Sequence, residues 1–310
     1  MSHFFAARVL AIIPVLLVIS LFAFGLEAIT PGDPATLLLL ASGVETITPE
    51  AVQAKRAELH LDDPLPVRYA DWLAGAIRGD FGRSFRSYEP VTTLYRERFG
   101  ATALLALCAA VCGALIAIPL GTIAAYRRGG MLDTIAQLLA VIGSAVPSFW
   151  VALIAIYFLA ARLHWLPVFG TPTPRGILMP VGVLTLAHTA TLTRLTRSAV
   201  LDTLGQPYVT VARAKGLSLL AIARKHVLPN TLVPVLTVLG LETAHLLTGA
   251  AVVEYVFAWP GIGKLAVDAA LVRDTPVIVG FAVAAGLIFV TLNLVVDLVV
   301  AAVDPRVRSV

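Results

Sequence analysis

Glu242 and His245 stand three residues apart in an otherwise apolar run, so on a helix they share a face and can form an internal hydrogen-bonded pair. Asn293 and Asp297, four residues apart, do the same in the last apolar run, nearer one of its ends. An ionisable group at the centre of a membrane helix costs about 2.5 to 3.5 kcal/mol on insertion scales, so such groups turn toward a cavity or a partner. Two readings stay open on the sequence alone: a polar lining of a substrate path, or a satisfied contact between helices or subunits. His188 stands by itself in another apolar run, and a lone polar residue there is expected to bond to a neighbouring helix. Cys108 and Cys112 share a helix face with no third ligand in reach, which suits small residues at a packing surface rather than a metal or a disulfide framework.

Catalytic patterns are missing where they would have to be. A phosphate-cradling loop reads G-x-x-x-x-G-K-[ST], and the nearest text, Gly261-Ile262-Gly263-Lys264-Leu265, has Ala258 in place of the first glycine and Leu265 in place of the hydroxyl. H-E-x-x-H, G-x-S-x-G and zinc-spaced Cys/His clusters do not occur, which removes the chemistry of a membrane protease or metallohydrolase. No catalytic, cofactor or metal residue is expected in this chain.

The elements that must position these residues follow from composition. Of 310 residues, 58% are hydrophobic and 14% charged, against roughly 25% charge in an ordinary soluble domain. A soluble globular fold is therefore excluded. About 20 apolar residues cross a bilayer as a helix, and six runs qualify: 9–28, 101–125, 132–161, 177–193, 231–253 and 277–303. The expected fold is all-α, a polytopic membrane protein with about six transmembrane helices. Pro14, Pro119, Pro147, Pro180 and Pro234 fall in or beside these runs and are expected to leave them intact. The first run is longer than a secretory signal's apolar core and no A-x-A-like site follows, so it is read as an anchored helix. Trp72, Trp150, Trp165 and Trp259 mostly fall near run ends, where interfacial anchors sit.

Six spans put both termini on one side. Arg127, Arg128, Arg194, Arg197, Arg213, Lys215, Arg224, Lys225, Arg306 and Arg308 all collect there, so it is cytoplasmic by the positive-inside rule. The expected organisation is a cytoplasmic N-terminus over 1–8, a first transmembrane helix over 9–29, an extracytoplasmic helical segment over 30–98, a transmembrane core over 99–303 with a cytoplasmic loop at 194–230, and a cytoplasmic C-terminus over 304–310. The 30–98 segment holds ten acidic and eight basic residues, and a segment that long translocates largely regardless of charge. Thr48-Pro49-Glu50 opens a short helix through about Leu61, and Tyr69, Trp72, Leu73, Ala76 and Ile77 recur at the spacing of a second.

The long cytoplasmic loop is the most informative segment. Tyr208 to Lys215 favours helix, Gly216 interrupts, and Leu217, Leu220, Ala221, Arg224 and Leu228 return on one face. A basic helix-break-helix with one apolar stripe suits docking into a groove of a soluble partner, or equally lying among anionic headgroups.

Here the sequence resembles a known family. Tyr208-Val209-Thr210-Val211-Ala212-Arg213-Ala214-Lys215-Gly216, followed by His226-Val227-Leu228-Pro229-Asn230, is similar to the EAA loop of permease subunits in binding-protein-dependent ABC importers. Thr210 replaces the motif's glutamate and His226 its later isoleucine, as in the dipeptide and oligopeptide branch. Pro31-Gly32-Asp33-Pro34, Gly79-Asp80-Phe81-Gly82-Arg83-Ser84, Pro147-Ser148-Phe149-Trp150, Val256-Phe257-Ala258-Trp259-Pro260-Gly261-Ile262-Gly263 and Asp304-Pro305-Arg306 look like that branch's B-type subunit, in order and spacing.

The resemblance implies a type I importer transmembrane fold with an extracytoplasmic insertion after the first helix, in a bacterial cytoplasmic membrane. It also implies a second homologous permease, two ATPase subunits that bind the ATP and Mg, and an extracytoplasmic substrate-binding protein. Ala212, Arg213, Ala214, Lys215, Gly216, Leu217, Leu220, Leu228 and Pro229 would form the ATPase-coupling loop, acting as a lever pressed into an ATPase cleft. Gly216 would serve either close backbone approach or an ordinary helix C-cap. Glu242, His245, Asn293 and Asp297 are the candidate translocation path, and the patch with Thr243 and Thr248 would suit the charged termini or amides of a peptide. The same branch includes importers of glutathione, nickel and haem. The rivals are a proton-coupled secondary transporter using Glu242, His245 and Asp297, which leaves the Gly216 loop unexplained, and a scaffold that only recruits cytoplasmic partners.

Overall fold

The computed structural model describes residues 2–29, 32–42 and 47–303. Pro31 and Asp304-Pro305-Arg306 lie outside them, as does the expected C-terminal segment 304–310. The elements are α1 (Ser2–Ile29), α2 (Pro34–Ala41), α3 (Pro49–Glu58), α4 (Leu65–Ile77), α5 (Val91–Tyr126), α6 (Met131–Ala145), α7 (Ser148–Ala155, continued by a π-helical turn Ile156–Arg162), α8 (Leu178–Leu204), α9 (Pro207–Ala214), α10 (Leu219–Ile222, continued by a π-helical turn Ala223–Val227), α11 (Leu228–Gly249), α12 (Ala251–Val256), α13 (Ile262–Val272) and α14 (Thr275–Val303).

By length and composition, Val91–Tyr126, Leu219–Leu247 and Thr275–Val300 can each cross a membrane. Of the other expected spans, the first corresponds to the apolar stretch Ile12–Gly25 of α1 and the fourth to the start of α8. The third is not one helix: α6 and the α7 segment meet at 96°. The break falls at Pro147, whose ring disfavours helical geometry at the preceding residue, and Val146 is extended at ψ 125°. Pro14, Pro119 and Pro234 sit inside unbroken helices.

The chain forms two compact units, Met1–Thr102 with Ala258–Val290 and Ala103–Phe257 with Thr291–Val310. In the first, Thr48 caps α3 through the Ala51 amide at 3.3 Å and Asp33 caps α2 through the Thr36 amide at 3.1 Å. Arg56 bridges Asp33 at 2.6 Å, tying α3 to α2. Phe24 of α1 packs on Tyr69 and Trp72 of α4, with ring centroids 5.3 and 5.4 Å apart. Asp274, almost fully buried at the α13–α14 corner, accepts from the Ser84 hydroxyl and the Phe85 amide (2.9 Å) and pins the 82–90 loop. Trp259 is buried rather than interfacial, its indole N–H donating to the Ala101 carbonyl at 3.0 Å.

The second unit is organised on α8. Gly113, Ala117 and Gly121 recur every fourth residue of α5, a stripe of small residues that lets backbones approach closely. A side chain at Gly121 would come within 2.7 Å of the Thr193 carbonyl, and one at Gly143 of α6 within 3.0 Å of Ala190. Ala117, Leu192 and Val235 fill the core between α5, α8 and α11.

Candidate functional site

α8 does not end where its apolar run does. No helix breaker follows Thr193 until Gly205, so the helix carries Arg194 and Arg197 on its later turns and stops at Leu204, and the loop expected from 194 starts eleven residues later. Arg197 is thereby aimed at Asp133, donating through Nη2 at 2.8 Å, while the Gly129 amide (2.9 Å) and Gln137 (3.0 Å) also reach the same carboxylate.

The segment from Gly205 to Val227 folds as a helix, a turn and a second short helix. Val209 and Ala212 of α9, with Ile222 and Val227, pack against Ala125 and Val200 in one buried cluster. The turn is a Schellman motif: the Gly216 amide donates to the Arg213 carbonyl at 2.9 Å and the Leu217 amide to the Ala212 carbonyl at 3.3 Å. Gly216 has φ +77°, and an added Cβ would meet nothing within 4 Å. Within this chain the glycine therefore serves the left-handed turn and not close packing. Ser218 then caps α10 through the Ala221 amide.

The stripe expected on one face, Leu217, Leu220, Ala221, Arg224 and Leu228, is not the buried one. Leu217, Leu220 and Arg224 are exposed, Ala221 and Leu228 half-buried, and Ile222 and Val227 do the anchoring, because the π-helical turn at Ala223–Val227 displaces the 3.6-residue period. Leu219 and Leu220 are about two-thirds exposed (65% and 67%), beside exposed Val211 and Tyr208. Arg213, Ala214, Lys215 and Pro229 are exposed around them, and Ala212 is buried.

Glu242 and His245 line the same cavity, and α8 adds a third polar residue to it. Glu242 faces His188 of α8, with Oε2 3.7 Å from Nδ1. His188 is thus not alone: its ring also lies against Gly113 of α5, where an added Cβ would collide with it. His188, Glu242 and His245, with Ser144 and Thr191, line one cavity of about 210 Å³ between α6, α8 and α11. Only the tertiary fold brings His188 there; its apolar neighbours in sequence gave no sign of it. Asn293 and Asp297 are half-buried on α14 and do not line this cavity. Cys108 is half-buried and Cys112 exposed, both as free thiols.

Comparison with known proteins follows the same outline. Residues 117–309 match the family described as binding-protein-dependent transport system inner membrane component, and residues 1–106 match its N-terminal companion. The oligopeptide transport system permease protein AppB of Bacillus subtilis is 38% identical over 99% of this chain and all of its own. The glutathione transport system permease protein GsiC of Pectobacterium atrosepticum is 36% identical over 99% of both chains. Among solved structures, an inward-facing MetNI methionine ABC transporter superposes with a TM-score of 0.54 at 19% identity, covering 68% of this chain and 96% of that one.

Proposed function

The chain belongs to the inner membrane components of binding-protein-dependent transport systems, the permeases of ABC importers, and from that membership we propose that it imports peptides as half of a translocation pathway completed by a second, homologous permease. Full-length similarity to an oligopeptide permease and to a glutathione permease supports a peptide class of cargo, since glutathione is itself a tripeptide. ATP and Mg would be bound by two ATPase subunits, leaving this chain without an enzymatic step. Substrate would arrive on an extracytoplasmic binding protein, and both termini would be cytoplasmic.

The exposed apolar stripe carries the coupling part of the proposal. Tyr208, Val211, Leu219 and Leu220 are exposed on a segment whose Val209, Ala212, Ile222 and Val227 are buried in the second unit. A helix pair fixed on one side and apolar on the other is a rigid probe for a groove. Arg213 and Lys215 beside it set register with acidic residues of the ATPase more than they add affinity, since exposed ion pairs contribute about 0 to 1 kcal/mol. Of the candidate path residues, Glu242 and His245 share a cavity with His188, while Asn293 and Asp297 stand elsewhere on α14. A proton relay through Glu242, His245 and Asp297 finds less support in that arrangement.

The test is to purify the chain from membranes with its copurifying subunits and assay peptide uptake in proteoliposomes. Wild-type importer should require ATP and the binding protein, and Leu219→Asp with Leu220→Asp should release the ATPases while the two permeases stay paired. Uptake driven by a proton gradient without ATPase subunits would establish the secondary transporter instead.

A further inference from the structure

The cavity between α6, α8 and α11 has an asymmetry that selects among ligands. Ser144 and His245 are the exposed polar members of the lining, Glu242 stands between them and the interior with 27% of its side chain accessible, and the His188 side chain, 1% accessible, lies deepest. Neither ring nitrogen of His188 has a hydrogen-bond partner among the described residues, and Nδ1 stands 3.7 Å from the carboxylate, beyond a direct hydrogen bond. The ring cannot swing away toward α5, because Gly113 is already against it. An entering group therefore passes Ser144 and His245 and meets a carboxylate backed by an imidazole, with Thr191 and Leu184 also in the wall.

A carboxylate in an apolar helix long enough to cross a membrane is costly without a counter-charge. Metal ions are a poor answer, since among the described residues no three His, Cys, Asp or Glu side chains are placed to hold one. At about 210 Å³ the space is smaller than the roughly 300 to 1,000 Å³ of pockets that enclose whole drug-sized ligands. It accommodates one charged end of a longer molecule. A primary ammonium fits on charge, size and hydrogen bonding together: three donors, facing a carboxylate and two hydroxyls.

We propose that the Glu242 cavity is a subsite for the α-ammonium group of the peptide in transit, with Glu242 as acceptor and His188 as the residue that positions its carboxylate. This rests on the peptide reading given above.

The experiment uses the complete importer with its binding protein in proteoliposomes and two probes, tri-alanine and N-acetyl-tri-alanine. Selectivity contributed by the binding protein cancels when wild type and variant are compared with the same binding protein. Glu242→Gln should lower the ratio of free-amine to acetylated uptake at least tenfold, Glu242→Asp should restore part of it, and His188→Gln should shift it in the same direction as Glu242→Gln by a smaller factor. An unchanged ratio in assembled Glu242→Gln importer would overturn the ammonium subsite and leave the peptide reading standing. Wild-type importer that takes up neither probe would remove the peptide reading, and the subsite with it.

Should Glu242→Gln fail to assemble, the intact carboxylate can be read directly. With Cys108 and Cys112 replaced by alanine, Ser144→Cys should react with aminoethyl methanethiosulfonate at least tenfold faster, relative to the neutral methyl reagent, than free cysteine does. Tri-alanine should protect it and the acetylated peptide should not. Equal relative rates would overturn the proposal.

Discussion

Arg197 and Asp133 close a bridge between α8 and the first turn of α6, with two guanidinium nitrogens on the two carboxylate oxygens and Asp133 almost wholly buried. The same carboxylate accepts from the Gly129 amide, so it also fixes the turn that leads out of α5. Helix α6 is thereby held at its N-terminal end, while its other end breaks at Pro147.

Removing one member should strand the other. Asp133→Asn or Arg197→Met is expected to cost about 3 kcal/mol, in the range for broken buried pairs. The measure is the midpoint of thermal aggregation in detergent, with the double variant Asp133→Asn, Arg197→Met recovering part of the loss. Additive losses would mean the pair is not coupled.

Gly216 offers a way to tell turn geometry from partner contact. Asparagine tolerates the left-handed region and valine does not, and a side chain at 216 meets open space within this chain. Gly216→Val should therefore uncouple uptake from ATP hydrolysis, and Gly216→Asn should retain most coupling. If Gly216→Asn is as defective as Gly216→Val, the glycine is needed by a docked ATPase backbone rather than by the turn.

The Asp274 hub should govern the 82–90 loop. Asp274→Asn turns one acceptor into a donor facing donors from Ser84, Phe85 and Arg86, and each hydrogen bond to a charged group contributes about 1.5 to 3 kcal/mol. Trypsin added outside intact cells should then cleave after Arg83 or Arg86 markedly faster than in wild type. Unaltered cleavage would show that the loop is held elsewhere.

Topology is open to direct labelling. In a chain lacking its native cysteines, Ser87→Cys should react with an impermeant thiol reagent from outside intact cells and Ser309→Cys only after lysis. The opposite pattern would invert the orientation.

What was legible in the sequence was what local rules govern. Thr48-Pro49-Glu50 specifies the start of α3 by capping chemistry, and Gly216 marks its turn because few residues adopt that φ. The extension of α8 to Leu204 was hidden because hydropathy ends at Thr193 while helix propensity does not. His188 is isolated in its apolar run because Glu242, which it faces, lies 54 positions away, whereas i, i+3 spacing marks only His245 as a neighbour of Glu242. The buried face of the 205–227 segment does not follow from spacing for a related reason: a π-helical turn has no simple sequence mark, yet it shifts the side chains on one side of it relative to the other.

That turn, Ala223–Val227, amounts to one residue of slack between α10 and α11, which starts at Leu228. An α-helix advances about 100° per residue, so the slack sets the azimuth at which Leu219 and Leu220 point out of the molecule. Deleting Ala223 would keep the helix hydrogen-bonded and swing both leucines about a quarter turn, carrying Ile222 out of its buried cluster. A residue gained or lost here would turn Leu219, Leu220 and Ile222 together, so the junction decides which side of α10 is buried against Ala125 and Val200 and which is left exposed.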